Sequence, residues 1–305
     1  MMNYDDISRR LSCLYDPNEA RAITRLVLEE RFGLTLADIL CGKDTQLSAD
    51  DHAELEKIVQ RLEKNEPVQY VLGHATFCGR SFYVAPGVLI PRPETAELCQ
   101  WIIDDSMAEQ HRRDRGNDNP VTSPRVLDIG TGSGCIAVTL ALGIADADVV
   151  AIDISPEALA IARCNAQRLG AAVAFIQHDI LASRPSILLD ATSASRKTAT
   201  HNRYTVIVSN PPYVCRNEAE LMEPNVLRHE PHQALFVPDE DPLLFYRAIA
   251  KLAHSLLMRG GMLYFEINPL YVEQLRTLLI DEGFADVEVR SDQFGKQRFM
   301  AARFV

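Results

Sequence analysis

Residues Val126–Val138 read VLDIGTGSGCIAV, and the fold turns on how this stretch is taken. An apolar run that suits a strand gives way to three glycines, Gly130, Gly132 and Gly134, and then to an apolar run that suits a helix. Lacking a Cβ, such a turn lets a ligand come close to the backbone at a helix N-terminus. Thr131 and Ser133 fill the positions between the glycines, and Cys135 stands where the dinucleotide fingerprint G-x-G-x-x-G needs its last glycine. Asp128, just ahead of the loop, suits a ligand carrying positive charge better than a pyrophosphate. A glycine-rich turn alone is a weak signal, so its surroundings have to carry the reading.

From Arg125 onward, strand and helix patterns alternate. Strands are expected at RVLDIG, DVVAID, VAFIQHD, YTVIVSN and GGMLYFEI, with ADVEVR and RFMAARF completing the sheet. Helices are expected at GCIAVTLALG, SPEALAIARCNAQRLG, DPLLFYRAIAKLAHSLLMRG and LYVEQLRTLLIDEGF. This is the pattern of an α/β, doubly wound, mostly parallel sheet with right-handed crossovers. Ligands of such sheets bind beyond the carboxyl ends of the strands. Asp153 closes the strand after the loop, 19 residues past Gly134, where a carboxylate accepts the hydroxyls of a ribose. Capping the next helix is left to Ser155, ahead of Pro156. Asp179 ends a third strand, within reach of an adenine amino group, although a strand-end Asp is often a turn residue.

A fourth strand runs into Asn210-Pro211-Pro212-Tyr213. The prolines fix φ and remove two N–H donors, so the corner presents carbonyl oxygens without competing donors. The Asn210 side chain adds a second acceptor beside the Pro211 carbonyl. Two converging acceptors fit a planar NH₂ group, and Tyr213 covers its flat face. Holding both hydrogens orients the nitrogen and stabilises the charge it gains in attack on an electrophile.

The whole chain bounds these readings. Its 305 residues are enough for two domains, and 47% hydrophobic with 24% charged residues is ordinary for a soluble globular protein. A net charge of −11 argues against long-range attraction to nucleic acid or anionic membrane. No run approaches a bilayer span, and the start MMNYDDISRRLSCLYD lacks an apolar signal core. Seven scattered cysteines without a C-x-x-C pair fit reduced thiols in a cytoplasmic protein better than disulfides or a metal site. His229 and His232 straddle Pro231 and find no third ligand nearby in sequence, so no metal is expected. Residues 1–70 read as a helical bundle through ARAITRLVLEERFGL and HAELEKIVQRLEKN, with Ser48 capping the second and Asp51 completing a variant capping box. Residues 71–95 read as a hairpin and a stiff linker, IPRPET, followed by a helix from Ala96 to about Met107. AEQHRRDRGNDNPVTSP and ATSASRKTATHN read as exposed loops.

Strand, Asp, glycine loop, helix, strand and Asp together resemble the class I S-adenosylmethionine-dependent methyltransferases. That resemblance implies a Rossmann-like, seven-stranded sheet over 96–305 whose last strand, RFMAARF, runs antiparallel. NPPY in such enzymes serves adenine N6, guanine N2 and glutamine N5 alike. The flanks narrow this: QYVLG…IPRPET, VLDIGTGSGCIAV, VSNPPYV, HEPHQALFVPDEDPLLFYRAI and GGMLYFEI, in that order, resemble the HemK/PrmC family of protein-(glutamine-N5) methyltransferases. The resemblance implies S-adenosyl-L-methionine as cofactor, and as substrate the glutamine of the Gly-Gly-Gln loop in class I peptide chain release factors. It also implies that the 1–70 bundle docks the rest of that partner. By the same resemblance, Gly130, Thr131, Gly132, Ser133, Gly134, Asp153 and Asp179 hold the cofactor and Ile180 packs on its adenine. Asn210 borders cofactor and substrate, Asn210, Pro211, Pro212 and Tyr213 form the catalytic corner, and Arg92, Glu94 and Thr95 help close the cofactor pocket. The chain departs from the family pattern at Pro242 and Asn268, where glycine is usual, and at Ile180, where an aromatic is frequent.

Two other functions are compatible with parts of this pattern. A nucleic-acid amino methyltransferase would share NPPY, but the acidic charge and the absence of a basic, aromatic segment oppose it. A cofactor-binding protein that has lost catalysis is opposed by the intact Asn210–Tyr213 corner.

Overall fold

A computed structural model describes residues 2–115, 123–182, 185–191 and 202–305. Of the stretch expected as a loop from 108 to 124, residues 108–115 are helical instead and 116–122 lie outside the described residues, as does nearly all of ATSASRKTATHN. The chain divides into two compact units, one of Met1–His74, Val84–Pro86 and Met222–Glu230, the other of Ala75–Tyr83, Gly87–Leu221 and Pro231–Val305.

The first unit is helical, with α1 (Tyr4–Leu11), α2 (Pro17–Phe32), α3 (Leu36–Leu40), α4 (Ala49–Leu62), α5 (Val68–Leu72) and, from far along the chain, α10 (Pro224–His229). Ile7, Leu11, Val27, Leu28, Leu55, Val59 and Leu62 bury one face of each long helix into a common core. Ser48 caps α4, its hydroxyl oxygen accepting from the Asp51 N–H at 3.1 Å. Asp51 answers by accepting the Ser48 hydroxyl rather than the Ser48 N–H, so the capping box is one-sided.

The second unit opens with the hairpin β1 (His74–Phe77) and β2 (Arg80–Tyr83), then α6 (Pro93–Arg115). The α/β array follows as β3 (Arg125–Ile129), α7 (Cys135–Gly143), β4 (Asp148–Asp153), α8 (Pro156–Leu169), β5 (Val173–Gln177), α9 (Pro185–Asp190) and β6 (Tyr204–Ser209). Next come β7 (Val214–Cys215), α11 (His232–Leu235), β8 (Phe236–Val237), α12 (Leu244–Leu256), β9 (Leu257–Glu266), α13 (Val272–Asp281), β10 (Phe284–Ser291) and β11 (Gln297–Phe304). The seven-stranded sheet has the order β10-β11-β9-β6-β3-β4-β5, and only β11 runs against its neighbours, as expected for RFMAARF.

Alternation along the strands divides the core between the two faces. Val126, Val149, Ala151, Val206, Val208 and Tyr264 meet α6 and α7, while Leu127, Ile129, Val150, Ile152, Ile207, Leu263 and Phe265 meet α12 and α13. The central strands are therefore buried on both sides, as parallel strands are. Two boundaries differ from the sequence expectation. α6 runs from Pro93 to Arg115 rather than from Ala96 to Met107, because its polar tail continues the helix without an apolar stripe to mark it. β9 begins at Leu257, inside the run read as helix, because Leu257 pairs with Tyr204 of β6.

Beneath the array lies a fully buried Arg125. It pairs with buried Asp148 at 3.1 Å, donates to the carbonyls of Leu189, Ala191 and Asn202, and lies 4.3 Å above the Tyr204 ring. This cation ties β3 to β4 and to the segment after α9.

Candidate active site

The carboxyl ends of β3, β4 and β6 converge on one edge of the sheet. At the β3 end, Gly130 and Thr131 both donate their N–H to the Ile152 carbonyl at 2.9 Å, folding the glycine loop against β4. Gly130, Gly132 and Gly134 have φ of +74°, +54° and +82°. Among the described residues a Cβ at Gly130 or Gly132 would meet nothing within 4 Å, so that side of the loop faces open space. Gly134 instead lies against Ala162 of α8. Ser133 is buried, its carbonyl accepting from the buried Asn165 amide at 2.9 Å.

Asp128 sits under this loop and is fully buried, contrary to its reading as a residue facing a cationic ligand. Its Oδ2 accepts the Thr131 hydroxyl at 2.7 Å and the Ala137 N–H at 3.2 Å, which clamps the loop to the first turn of α7. Oδ1 is buried without a partner among the described residues, and burial pushes the carboxyl up to about 7. Asp153 closes β4, half-buried, with Oδ2 accepting from Gly132 N and Oδ1 from Ser155 N, both at 2.9 Å. Each oxygen keeps a further lone pair for a hydroxyl. Ser155 caps α8, as the sequence reading required.

Asp179 follows β5, and its Oδ1 accepts from Leu181 N at 2.9 Å, a turn contact that leaves its second oxygen available. Ile180 packs against the α12 side of the core and lines a groove with Leu181, Leu244 and Arg247. Open glycine backbone, a strand-end carboxylate with spare lone pairs and a neighbouring apolar side chain are a donor set that fits a nucleoside bearing a cationic, phosphate-free tail. Pyrophosphate would meet the carboxylates of Asp153 and Asp179, and Arg247, a basic side chain of the groove beside Ile180, is already paired with Asp241 at 2.7 Å.

The NPPY corner continues β6. Val208 pairs with Tyr264 of β9, and carrying the alternation two residues further sets Asn210 beside Glu266. Glu266 is buried, and sequence reasoning passed over it. Its Oε2 accepts the Thr95 hydroxyl at 2.6 Å and the Asn210 Nδ2–H at 3.0 Å, while Oε1 accepts the Tyr213 hydroxyl at 3.0 Å. Thr95 Oγ1 lies 3.4 Å from Asn210 Nδ2 and accepts from it. Among the described residues nothing donates to Asn210 Oδ1. Burial pushes the Glu266 carboxyl above the usual range, and burial followed by the Glu266 charge pushes the Tyr213 phenol far up.

The structure thus brings Thr95 to the Asn210–Tyr213 corner, with Arg92 and Glu94 at the same end of α6 and half-buried. Asn268, which departs from the family's glycine, has φ of −77° and needs no glycine there. Its Nδ2 donates to the Tyr213 carbonyl at 3.0 Å, so it steadies the corner from below. Pro242 lies just ahead of α12, where a missing N–H costs nothing. His229 meets the Lys64 carbonyl, and His232 stacks edge-on against Phe236. Among the described residues no cluster of His, Cys, Asp and Glu could hold a metal ion, and no helix is long and apolar enough to cross a membrane.

Residues 122–239 match the family model of a methyltransferase domain. The solved hMettl16 catalytic domain in complex with MAT2A 3′UTR hairpin 6 is similar in fold alone, at 17% identity and a TM-score of 0.50, over 74% of this chain and 76% of that one. Sheet order and domain match together define a class I S-adenosylmethionine-dependent methyltransferase. Residues 4–73 match the PrmC N-terminal domain. The release factor glutamine methyltransferase of Bacteroides thetaiotaomicron is 48% identical over 97% of both chains. That of Flavobacterium psychrophilum is 36% identical over 96% of this chain and 95% of its own. The chain belongs to the release factor glutamine methyltransferase family.

Proposed function

We propose that the protein methylates the N5 side-chain amide of a release factor glutamine, the one in the Gly-Gly-Gln loop of class I peptide chain release factors, using S-adenosyl-L-methionine. The observation that carries this reading is the Asn210–Tyr213 corner, where Nδ2 is engaged by Glu266 and Oδ1 is left as an acceptor. Membership of the family selects glutamine among the planar NH₂ groups that such a corner fits.

Gly130, Thr131, Gly132, Ser133, Gly134 and Asp153 would hold the cofactor, with Asp179 and Ile180 at its adenine end. When bound, it supplies a methyl group on a positively charged sulfur. Asn210 Oδ1 and the Pro211 carbonyl each take one hydrogen of the substrate NH₂, which turns the nitrogen toward that methyl. Both oxygens carry partial negative charge and stabilise the nitrogen as it becomes cationic. The half-buried Tyr213 ring covers the flat face of the amide, and its hydroxyl is spent on Glu266, so it offers no competing donor. A methylated amide nitrogen is strongly acidic, so no strong base is needed during attack. We further propose that the 1–70 bundle docks the body of the release factor, and that Arg92 and Glu94 border the cofactor pocket.

Transfer of label from tritiated S-adenosylmethionine tests the reading. A purified release factor, its loop Gln→Ala variant and ribosomal or duplex nucleic acid are compared side by side. Label on the wild-type release factor alone is expected. Label on nucleic acid, or on the Gln→Ala variant, sinks it.

A further inference from the structure

We propose that Glu266 is a positioning residue whose negative charge decides which end of the Asn210 amide faces the substrate. The inference rests on the glutamine-amide reading of the corner. The two ends of an asparagine amide are close to the same size, so packing alone does not distinguish Oδ1 from Nδ2. What distinguishes them is the neighbour. An ionised carboxylate only accepts hydrogen bonds, so it draws Nδ2 inward and leaves Oδ1 pointing out.

The surroundings of Glu266 are arranged for that purpose. Three donors from two parts of the chain converge on it: the Thr95 hydroxyl on α6, and Asn210 Nδ2 and the Tyr213 hydroxyl from the corner after β6. Thr95 gives its proton to Glu266 and accepts from Asn210, so every bond in the cluster runs in one direction. The charged and titratable groups facing the carboxylate are Tyr213 on the corner, Arg298 on β11 and Glu94 on α6. Tyr246 on α12 donates to the Glu266 backbone carbonyl at 3.1 Å. Arg298 favours the ionised form, whereas burial and Glu94 oppose it.

A neutral residue at this place breaks the directionality. A glutamine side chain would carry one acceptor and one donor where three donors now meet. A protonated Glu266 would have the same mismatch. In either case the Asn210 amide gains a reason to rotate, and rotation would aim Nδ2 at the substrate NH₂, donor against donor. Loss of the charge therefore costs the acceptor and adds a repulsion, while the glycine loop and Asp153 remain untouched.

The test compares wild type, Glu266→Gln and Glu266→Asp in methyl transfer to the release factor across about pH 5 to pH 8, the span above ordinary carboxylate pKa values. S-adenosylhomocysteine binding is measured by calorimetry in parallel. Glu266→Gln is expected to lower kcat by about a hundredfold or more, the scale of one misdirected electrostatic group. Its S-adenosylhomocysteine affinity stays close to wild type. Wild-type kcat shows a falling acid limb that Glu266→Gln lacks, and Glu266→Asp, which keeps the charge, is faster than Glu266→Gln. Wild-type kcat without an acid limb, an acid limb retained in Glu266→Gln, or Glu266→Asp no faster than Glu266→Gln overturns the proposal. So does a Glu266→Gln kcat within a few-fold of wild type. A wild type that leaves the release factor glutamine unmethylated overturns the function itself and is read first, so the two failures are distinguishable.

Discussion

Gly134→Ala and Gly130→Ala change the same loop by the same atom, yet the structure assigns them different penalties. Both glycines have left-handed backbone, at φ of +82° and +74°. An L-residue pays about 1–2 kcal/mol for that conformation. At Gly130 none of the described residues lies within 4 Å of an added Cβ, so the backbone penalty stands alone. At Gly134 the Cβ would lie 3.0 Å from Ala162 Cβ and 3.1 Å from Ala162 Cα. Ala162 is fully buried on α8, and one of the two opposing atoms is backbone, so neither can retreat cheaply. Overpacking of this kind adds about 1–3 kcal/mol. Gly134→Ala should therefore lose about 2–5 kcal/mol of unfolding free energy against about 1–2 kcal/mol for Gly130→Ala. Urea titration followed by circular dichroism reads both values under one condition. Calorimetric titration with S-adenosylhomocysteine supplies the counterpart. There Gly130→Ala should be the more damaging per kcal/mol of stability lost, because its methyl projects to the open side of the loop. Equal losses of stability in the two variants would falsify the packing argument, and unimpaired cofactor binding in Gly130→Ala would refute the assignment of the open side.

Three further outcomes follow from single groups. Asp128 is pushed up to about 7 in the folded protein, so its folded form holds a proton that the unfolded chain releases near pH 4. That contribution is complete below the unfolded value and is lost as pH rises through about 7. Wild-type stability should thus fall relative to Asp128→Asn between pH 4 and 7, by at most about 4 kcal/mol; a flat difference in paired urea titrations refutes it. Asp148→Ala strands the buried Arg125 guanidinium and should cost about 3–5 kcal/mol by the same method. Asn210→Ala removes the side-chain acceptor and should lower methyl transfer by about a hundredfold to a thousandfold, with S-adenosylhomocysteine binding largely intact; retained activity contradicts the reading of the corner.

What was legible in the sequence was what the chain constrains locally. The glycine loop announces itself because positive φ at Gly130, Gly132 and Gly134 admits little else. The prolines of NPPY announce a corner because they fix their own backbone. Strand alternation with helices sufficed for the mostly parallel sheet, whereas the reversed β11 came from the family resemblance and not from the alternation. The boundary between α12 and β9 was not legible, since an apolar run such as LAHSLLMRG satisfies both periods until the pairing with Tyr204 is known. Asn268 read as a loss of glycine, and only its bond to the Tyr213 carbonyl shows it as a support. Glu266 is the instructive omission. A glutamate at the end of GGMLYFEI, two residues past Tyr264 on the same face, was a signal, because an unpaired carboxylate there would be costly to bury. Yet one strand says nothing of its neighbour's register, and it is register that sets Glu266 against Asn210 rather than against Pro211. A one-residue slip would turn the carboxylate to the α12 side and leave the amide unaimed. The identity of the acceptor is therefore written in four consecutive residues, whereas its direction depends on a pairing between strands more than fifty residues apart, β6 ending at Ser209 and β9 at Glu266.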